Sequence, residues 1–139
     1  MHRNPEDIEI RNLLETAETV AVVGLSDSPY RTSHSIARAL QSYGYRIVPV
    51  NPNLTGPVLG EEPYSTVDEI PFEVDIVDVF RRGSEVMPVA HDAVSAGASA
   101  LWMQSGVVNE EEAEYATKHG LMVVMDRCIR VDHALLLGN

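Results

Sequence analysis

The sequence predicts a single α/β domain spanning residues 1–139, with a mostly parallel five-stranded sheet and helices on both of its faces. Three observations carry that expectation. Five short apolar runs rich in β-branched residues recur at 20–24, 45–50, 74–80, 99–103 and 121–125. Most gaps between them are long enough for a helix, and several show helical periodicity. The 139 residues, 45% of them hydrophobic, suffice for one core and show no internal repeat or domain boundary.

Residues 1–18, beginning MHRNPEDIEIRNLLE, predict a helix packed outside the sheet. VAVVG is the first strand. SHSIARALQSYG brings Ile36, Ala37, Leu40 and Tyr43 to one helical face and stops at Gly44. YRIVPV is the second strand. Residues 52–71 hold Pro52, Gly56, Pro57, Gly60, Pro63 and Pro71 and predict irregular chain, with a short helix near STVDEI. VDIVDVF is the third strand. SEVMPVAHDAVSAG predicts a helix capped by Ser84 and ended by Gly97, with Pro88 in the first turn, where it costs little. SALWM is the fourth strand, with Trp102 in its core. NEEEAEYATKHG is the clearest helix: Asn109 caps it, Glu110 to Glu112 sit at the positive end of its dipole, and Lys118, His119 and Gly120 close it. LMVVM is the fifth strand. Right-handed crossovers between such strands make the domain Rossmann-like.

The charge balance narrows the partners. Ten basic and 21 acidic residues give a net charge of −11, which repels nucleic acid and anionic lipid. A small anion is still admitted, because its binding follows the local field. Nine of the ten basic residues are Arg, and Arg31, Arg81, Arg82, Arg127 and Arg130 each follow a predicted strand, which points to a basic crevice in an acidic body. Cys128 is the only cysteine, so no intramolecular disulfide forms. The five His have no metal-ligand spacing to Cys or to each other, so no metal site is expected. The N-terminus is polar, and no apolar run approaches the roughly 20 residues of a membrane span. A cytoplasmic protein with a small-molecule partner is the expectation; self-association and a protein partner are left open.

In an open α/β sheet, ligands bind at the carboxyl ends of the strands. That rule selects 24–35, 51–52, 80–84, 104–109 and 126–130. The first of these lies in AVVGLSDSPYRTSHSIARAL. A dinucleotide fingerprint from Gly24 needs Gly at 26 and 29, where Ser26 and Pro29 stand. A Walker-type loop needs Gly at 29 and then Lys, and has neither. Asn51 occupies the place where an NAD site usually carries an acid. Anion chemistry survives these failures: Gly24 permits a sharp turn, Ser26, Ser28, Thr32, Ser33 and Ser35 offer hydroxyls, Arg31 offers a forked cation, and a helix starts near Ser33 with unbonded N–H groups. The same residues also suit an ordinary capped turn.

VVGLSDSPYRTSHSIARALQSYGYRIVPVNP, VDIVDVFRR, LWMQSGVVNEEEAEYA and VVMDRCIRVDHALL, in that order, resemble the small bacterial proteins of the CoA-binding domain family. That domain is similar to the CoA-binding domain of the succinyl-CoA synthetase alpha subunit. The resemblance covers residues 20–136. It implies a Rossmann-like domain that binds coenzyme A or an acyl-CoA. In the synthetases a second domain carries the phosphorylated histidine. This chain ends before one, so ligase activity is not expected of it alone.

The resemblance places the pyrophosphate on Gly24, Leu25 and Ser26, near Ser33, with Arg31 as its cation. Asn51 and Pro52 would border the adenosine, though Asn51 suits a loop-bracing bond equally well. Val79 and Phe80 offer an apolar edge to adenine or pantetheine, Phe80 being equally suited to the core, and Arg81 and Arg82 offer charge. Gln104, Ser105 and Gly106 lie on the path of the pantetheine arm. Cys128 falls near the thiol end of the ligand, where Arg127 and Arg130 would favour its thiolate and a mixed disulfide with CoA; a small core residue is the other reading. Asp126 is expected to pair with Arg127. His34 adjoins two serines without forming a triad, and a Cys128–His133 pair is left to the fold. Binding without evident catalysis is the leading function. The alternatives are a subunit or enzyme that acts on acyl-CoA with a partner, and an NAD(P)-binding protein.

Overall fold

The computed structural model describes residues 1–138. In chain order the elements are α1 (Asp7–Thr16), β1 (Thr19–Val23), α2 (Thr32–Ser42), β2 (Arg46–Val50), β3 (Ile76–Val79), α3 (Met87–Ser95), β4 (Ala100–Met103), α4 (Glu110–Lys118), β5 (Met122–Met125) and α5 (Ile129–Leu137). The five strands form one sheet in the order β2-β1-β3-β4-β5. Every pairing is parallel. The order reverses between β1 and β3, and that is where such sheets open a crevice.

Side chains alternate across each strand, so every strand feeds two cores. Ala21, Val23, Val77, Val79, Leu101 and Met103 face α3 and α4. Val20, Val22, Ile76, Trp102 and Val124 face α1, α2 and α5. Both faces are covered, which is why the strands read as continuous apolar runs.

Two expectations are corrected, and one helix is added. The N-terminal helix begins at Asp7, after a capping box between Glu6 and Glu9, and not at the first residue. Residues 1–5 run along the outer edge of β5 instead, where the Asn4 carboxamide donates to the Met125 carbonyl at 3.0 Å and accepts its N–H at 2.8 Å. This blunts an edge strand that would otherwise expose its backbone. Ser84 does not cap α3. Gly83–Glu85 form a 3₁₀ turn, and Val86 is the N-cap. Pro88 has no N–H to give and must lie in the first turn, so it sets where the helix can start. The added helix is α5, Ile129–Leu137, for which the sequence reading gave no element. Two buried polar residues, Asp132 and His133, interrupt its apolar stripe and hide the helix from a periodicity reading.

The irregular segment 52–71 protects the other edge of the sheet. Tyr64 bridges Val50 in parallel, donating its N–H to Pro49 and accepting that of Asn51. The short helix expected there is the 3₁₀ turn Val67–Glu69.

Candidate functional site

β1 ends at Val23, and the chain turns at Gly24 with φ +88°. A Cβ on Gly24 would stand 2.6 Å from the Phe80 carbonyl oxygen. The loops after β1 and β3 therefore touch through backbone at the switch point, and only glycine permits both the angle and the approach.

The β1–α2 loop is braced from within. Ser33 Oγ accepts the Ser26 N–H at 3.0 Å, Ser26 Oγ accepts the Ser28 N–H at 3.0 Å, and His34 Nδ1 donates to the Ser26 carbonyl at 2.9 Å. Asn51 reaches across from β2, donating from Nδ2 to the Leu25 carbonyl at 3.2 Å, while its Oδ1 accepts the Asn53 N–H. Asn51 thus takes the bracing role. Leu25 is fully buried and presents only backbone to the loop.

α2 begins without a side-chain cap, and its first intrahelical bond runs from the Ser35 N–H to the Arg31 carbonyl. The N–H groups of Thr32, Ser33 and His34 belong to the turn that a helix leaves unsatisfied, at the positive end of its dipole. Thr32 and Ser33 from this turn line a cavity of about 410 Å³ together with Gly24, Ser26, Tyr30, Arg31 and Phe80. A second cavity of about 570 Å³ shares Thr32 and Phe80 as a common wall and continues over Ile36, Arg81, Arg82, Gln104, Ser105, Gly106, Val107 and Cys128. The two form one cleft along the carboxyl edge. Its first lobe is polar and cationic, and its second is floored by apolar side chains with two arginines on the rim.

Most residues singled out in the sequence meet here, and a few stand apart. Gly24, Ser26, Arg31, Ser33, Phe80, Arg81, Arg82, Gln104, Ser105, Gly106 and Cys128 line the lobes. Asn51, Pro52 and Leu25 do not line either. Val79 is buried on the opposite face of the sheet, among the side chains that meet α3 and α4. Phe80 is half-buried and serves core and cleft together. Tyr30, Ile36 and Val107 also line the cleft; sequence alone marked Ile36 only as a core face, and took in Tyr30 and Val107 only as members of the ranges 24–35 and 104–109, with no role for either.

Gln104 is buried, and its Oε1 accepts the Ile129 N–H at 3.1 Å, which ties the start of α5 to the end of β4. The expected pair between Asp126 and Arg127 is not formed. Arg127 binds Asp132 with Nε at 2.9 Å and Nη2 at 3.0 Å, and stands 3.8 Å from Asp7. Asp126 instead accepts the Gly106 N–H at 2.7 Å, joining the loops after β4 and β5. The physical reason is competition: Asp132 in the first turn of α5 offers Arg127 two oxygens, while Asp126, at φ +61°, gives its carboxylate to the Gly106 N–H. The cationic character of the cleft thus comes from Arg31, Arg81 and Arg82, not from all five arginines. His133 stacks on Tyr43 with ring centroids 4.3 Å apart, and no hydrogen bond joins it to Cys128.

Beneath the cleft floor lies Asp78. It is fully buried in β3 between Val22 and Trp102, on the same face as Phe80, and neither carboxyl oxygen has a hydrogen-bond partner among the described residues. Burial pushes its carboxyl well above the usual range, which favours the protonated form.

Among the described residues no group of three or more His, Cys, Asp or Glu is placed to hold a metal ion, and no helix is long and apolar enough to cross a membrane.

Comparison with known proteins agrees with this fold. A family model described as a CoA binding domain matches residues 18–134. The protein YneT of Bacillus subtilis, itself uncharacterised, is 43% identical over 133 residues, covering 96% of this chain and 98% of YneT. A hypothetical protein from Pyrococcus horikoshii OT3 has the same fold, with TM-score 0.93, 33% identity and 99% of each chain covered. The chain is also similar to one part of acetyl-coenzyme A synthetase 1 from Ca. Korarchaeum cryptofilum, with TM-score 0.69 and 26% identity, covering 84% of this chain and 28% of that one.

Proposed function

The chain belongs to the CoA-binding domain family, and from that premise we propose that it binds coenzyme A or an acyl-CoA along the two-lobed cleft, without a catalytic step of its own. The observation that carries this reading is the continuity of two unlike lobes across the shared wall of Thr32 and Phe80. CoA is itself two unlike halves: a phosphorylated nucleotide and a thin pantetheine arm. The polar lobe suits the first, because the N–H groups at the start of α2 and the Arg31 guanidinium offer donors and positive charge to a pyrophosphate. The second lobe suits the arm, with Ile36, Phe80 and Val107 against its methylenes and Gln104 and Ser105 near its amides. Arg81 or Arg82 on the rim then reads a further phosphate. Cys128, half-buried at the far wall, lies toward the thiol end.

The likeness to one part of an acetyl-coenzyme A synthetase favours a second reading, in which this chain supplies the CoA site to a partner that performs the chemistry. An NAD(P) site has less support, since Asn51 stands where the ribose acid belongs and is committed to the Leu25 carbonyl.

Calorimetric titration with CoA, dephospho-CoA and NADH tests the proposal. Saturable binding of CoA, weaker binding of dephospho-CoA and none of NADH is the expected pattern. NADH binding as tightly as CoA overturns it.

A further inference from the structure

β5 is the last strand of the sheet, so one of its edges has no neighbouring strand. The Met122 N–H bonds the Ser99 carbonyl at 3.0 Å, on the β4 side. Backbone groups alternate in direction along a strand, so Val123 and Met125 turn their N–H and C=O groups to the open edge. Asn4 engages Met125 there: its carboxamide donates to the Met125 carbonyl at 3.0 Å and accepts the Met125 N–H at 2.8 Å. A residue of a neighbouring strand would make the same two bonds. Asn4 is itself held, because His2 Nε2 lies 2.9 Å from its Oδ1 and the His2 N–H bonds Glu110 Oε1 at 2.6 Å. Pro5, next along, has no N–H to offer another strand. Val123 is left open. Among the described residues nothing bonds its outward groups, and it borders a cavity of about 660 Å³ shared by the N-terminal segment and the end of α4.

We propose that the outer edge of β5 is an interaction surface, that His2–Pro5 form a strap over it, and that the occupant the strap excludes is a second copy of this chain. Hydrogen bonding is the first ground. When two β5 strands pair antiparallel across a two-fold axis, Val123 of one copy stands opposite Met125 of the other. Each such pair exchanges both of its backbone bonds, so every outward group of β5 is satisfied and the two five-stranded sheets join edge to edge. Charge is the second ground. The cavity beside this edge is lined by two cations, Arg3 and Lys118, and two acids, Glu9 and Glu114, so the surface is complementary to its own copy. A peptide of a single sign of charge finds no such match. Asn4 decides between the two states. While it holds Met125, only Val123 is free to pair, and so short an edge is a poor template for another strand. The net charge of −11 on each copy also keeps copies apart at low ionic strength.

Sedimentation velocity across a range of protein and salt concentrations, with hydrogen exchange at the Met125 amide, tests the strap. The wild type is expected to be monomeric with that amide protected. Asn4→Ala should keep the fold, read from Trp102 fluorescence, and self-associate about tenfold more tightly, since two backbone groups are freed for pairing. Its association should strengthen with salt. Its Met125 amide should exchange fast in dilute solution and regain protection as the dimer forms. Asn4→Asp keeps an acceptor for the Met125 N–H and adds a negative charge at the edge, so it should stay monomeric. Asn4→Ala that remains monomeric at every concentration overturns the proposal. So does a wild type, or Asn4→Asp, that dimerises as tightly as Asn4→Ala. A dimer of Asn4→Ala whose Met125 amide stays unprotected places the contact elsewhere and overturns it as well.

Discussion

Replacing Gly24 with alanine should destabilise the domain by about 2–4 kcal/mol, the sum of two separable costs. The first is conformational: at φ +88° a residue with a Cβ is disfavoured by about 1–2 kcal/mol. The second is steric. The new Cβ would lie 2.6 Å from the Phe80 carbonyl oxygen, and the nearest atom is rigid backbone and not the tip of a flexible side chain. Relief requires the ends of β1 and β3 to separate. One hydrogen bond spans that gap, Phe80 N–H to Val23 O at 2.9 Å, and a second, Gly24 N–H to Val50 O at 2.8 Å, holds Gly24 in place against the end of β2. Each contributes about 1 kcal/mol net.

Gly44 supplies the control. It has φ +108°, and nothing lies within 4 Å of the Cβ it would gain, so Gly44→Ala meets only the conformational cost. Urea unfolding followed by the fluorescence of the buried Trp102 measures both variants against the wild type. Gly24→Ala should lose about 1–2 kcal/mol more than Gly44→Ala, at an unchanged m-value. Equal losses would refute the claim that Gly24 is required by the approach of the β3 loop. On the proposed function, CoA affinity of Gly24→Ala should fall as well, because the displaced loop lines the first lobe of the cleft.

Three further outcomes are expected. Asp78→Asn should gain stability relative to the wild type as pH rises above about 4: the unfolded carboxyl releases its proton near 3.9 while burial keeps it on in the folded state, so the folded state binds more protons and wild-type stability falls through that window; a difference between the two proteins that is constant from pH 4 to pH 8 in denaturant titrations contradicts this. Arg31→Ala should weaken CoA by about five- to tenfold at low salt, as for loss of one charge-assisted hydrogen bond, and by less at high ionic strength; titration calorimetry at two salt concentrations decides it, and a salt-independent effect argues against a phosphate contact. Gln104→Ala removes the acceptor of a buried N–H and should cost about 1–3 kcal/mol, with faster hydrogen exchange at Ile129; Gln104→Glu, which keeps an acceptor, should protect that amide better.

How far the sequence carried the fold depended on whether a residue's role was local. The strands were legible because each is buried on both faces, and the clearest helix because Asn109 accepts the Glu112 N–H with three acids beside it. The cleft's location followed from the rule that parallel strands open at their carboxyl ends, so Gly24, Arg31, Phe80 and Cys128 could be named before their neighbours were known. What stayed hidden is long-range pairing. Arg127 follows a strand just as Arg31 does, yet it is held by Asp132, in the first turn of α5, and by Asp7, at the start of α1. Asn51 and Gln104 are polar residues at strand ends, as ligand contacts would be. Each spends a carboxamide group on protein backbone, Asn51 on the β1–α2 loop and Gln104 on the start of α5. Tyr30 fell inside the selected range 24–35 yet drew no role of its own, for the opposite reason. Its exposure is set by a loop whose brace runs from Ser33 and His34 back to Ser26, a closure that no pattern of apolar residues signals. The same physics leaves the first turn of α2 without a side-chain cap, so its N–H donors stay open at the edge of the cleft while the side chains around them close the loops.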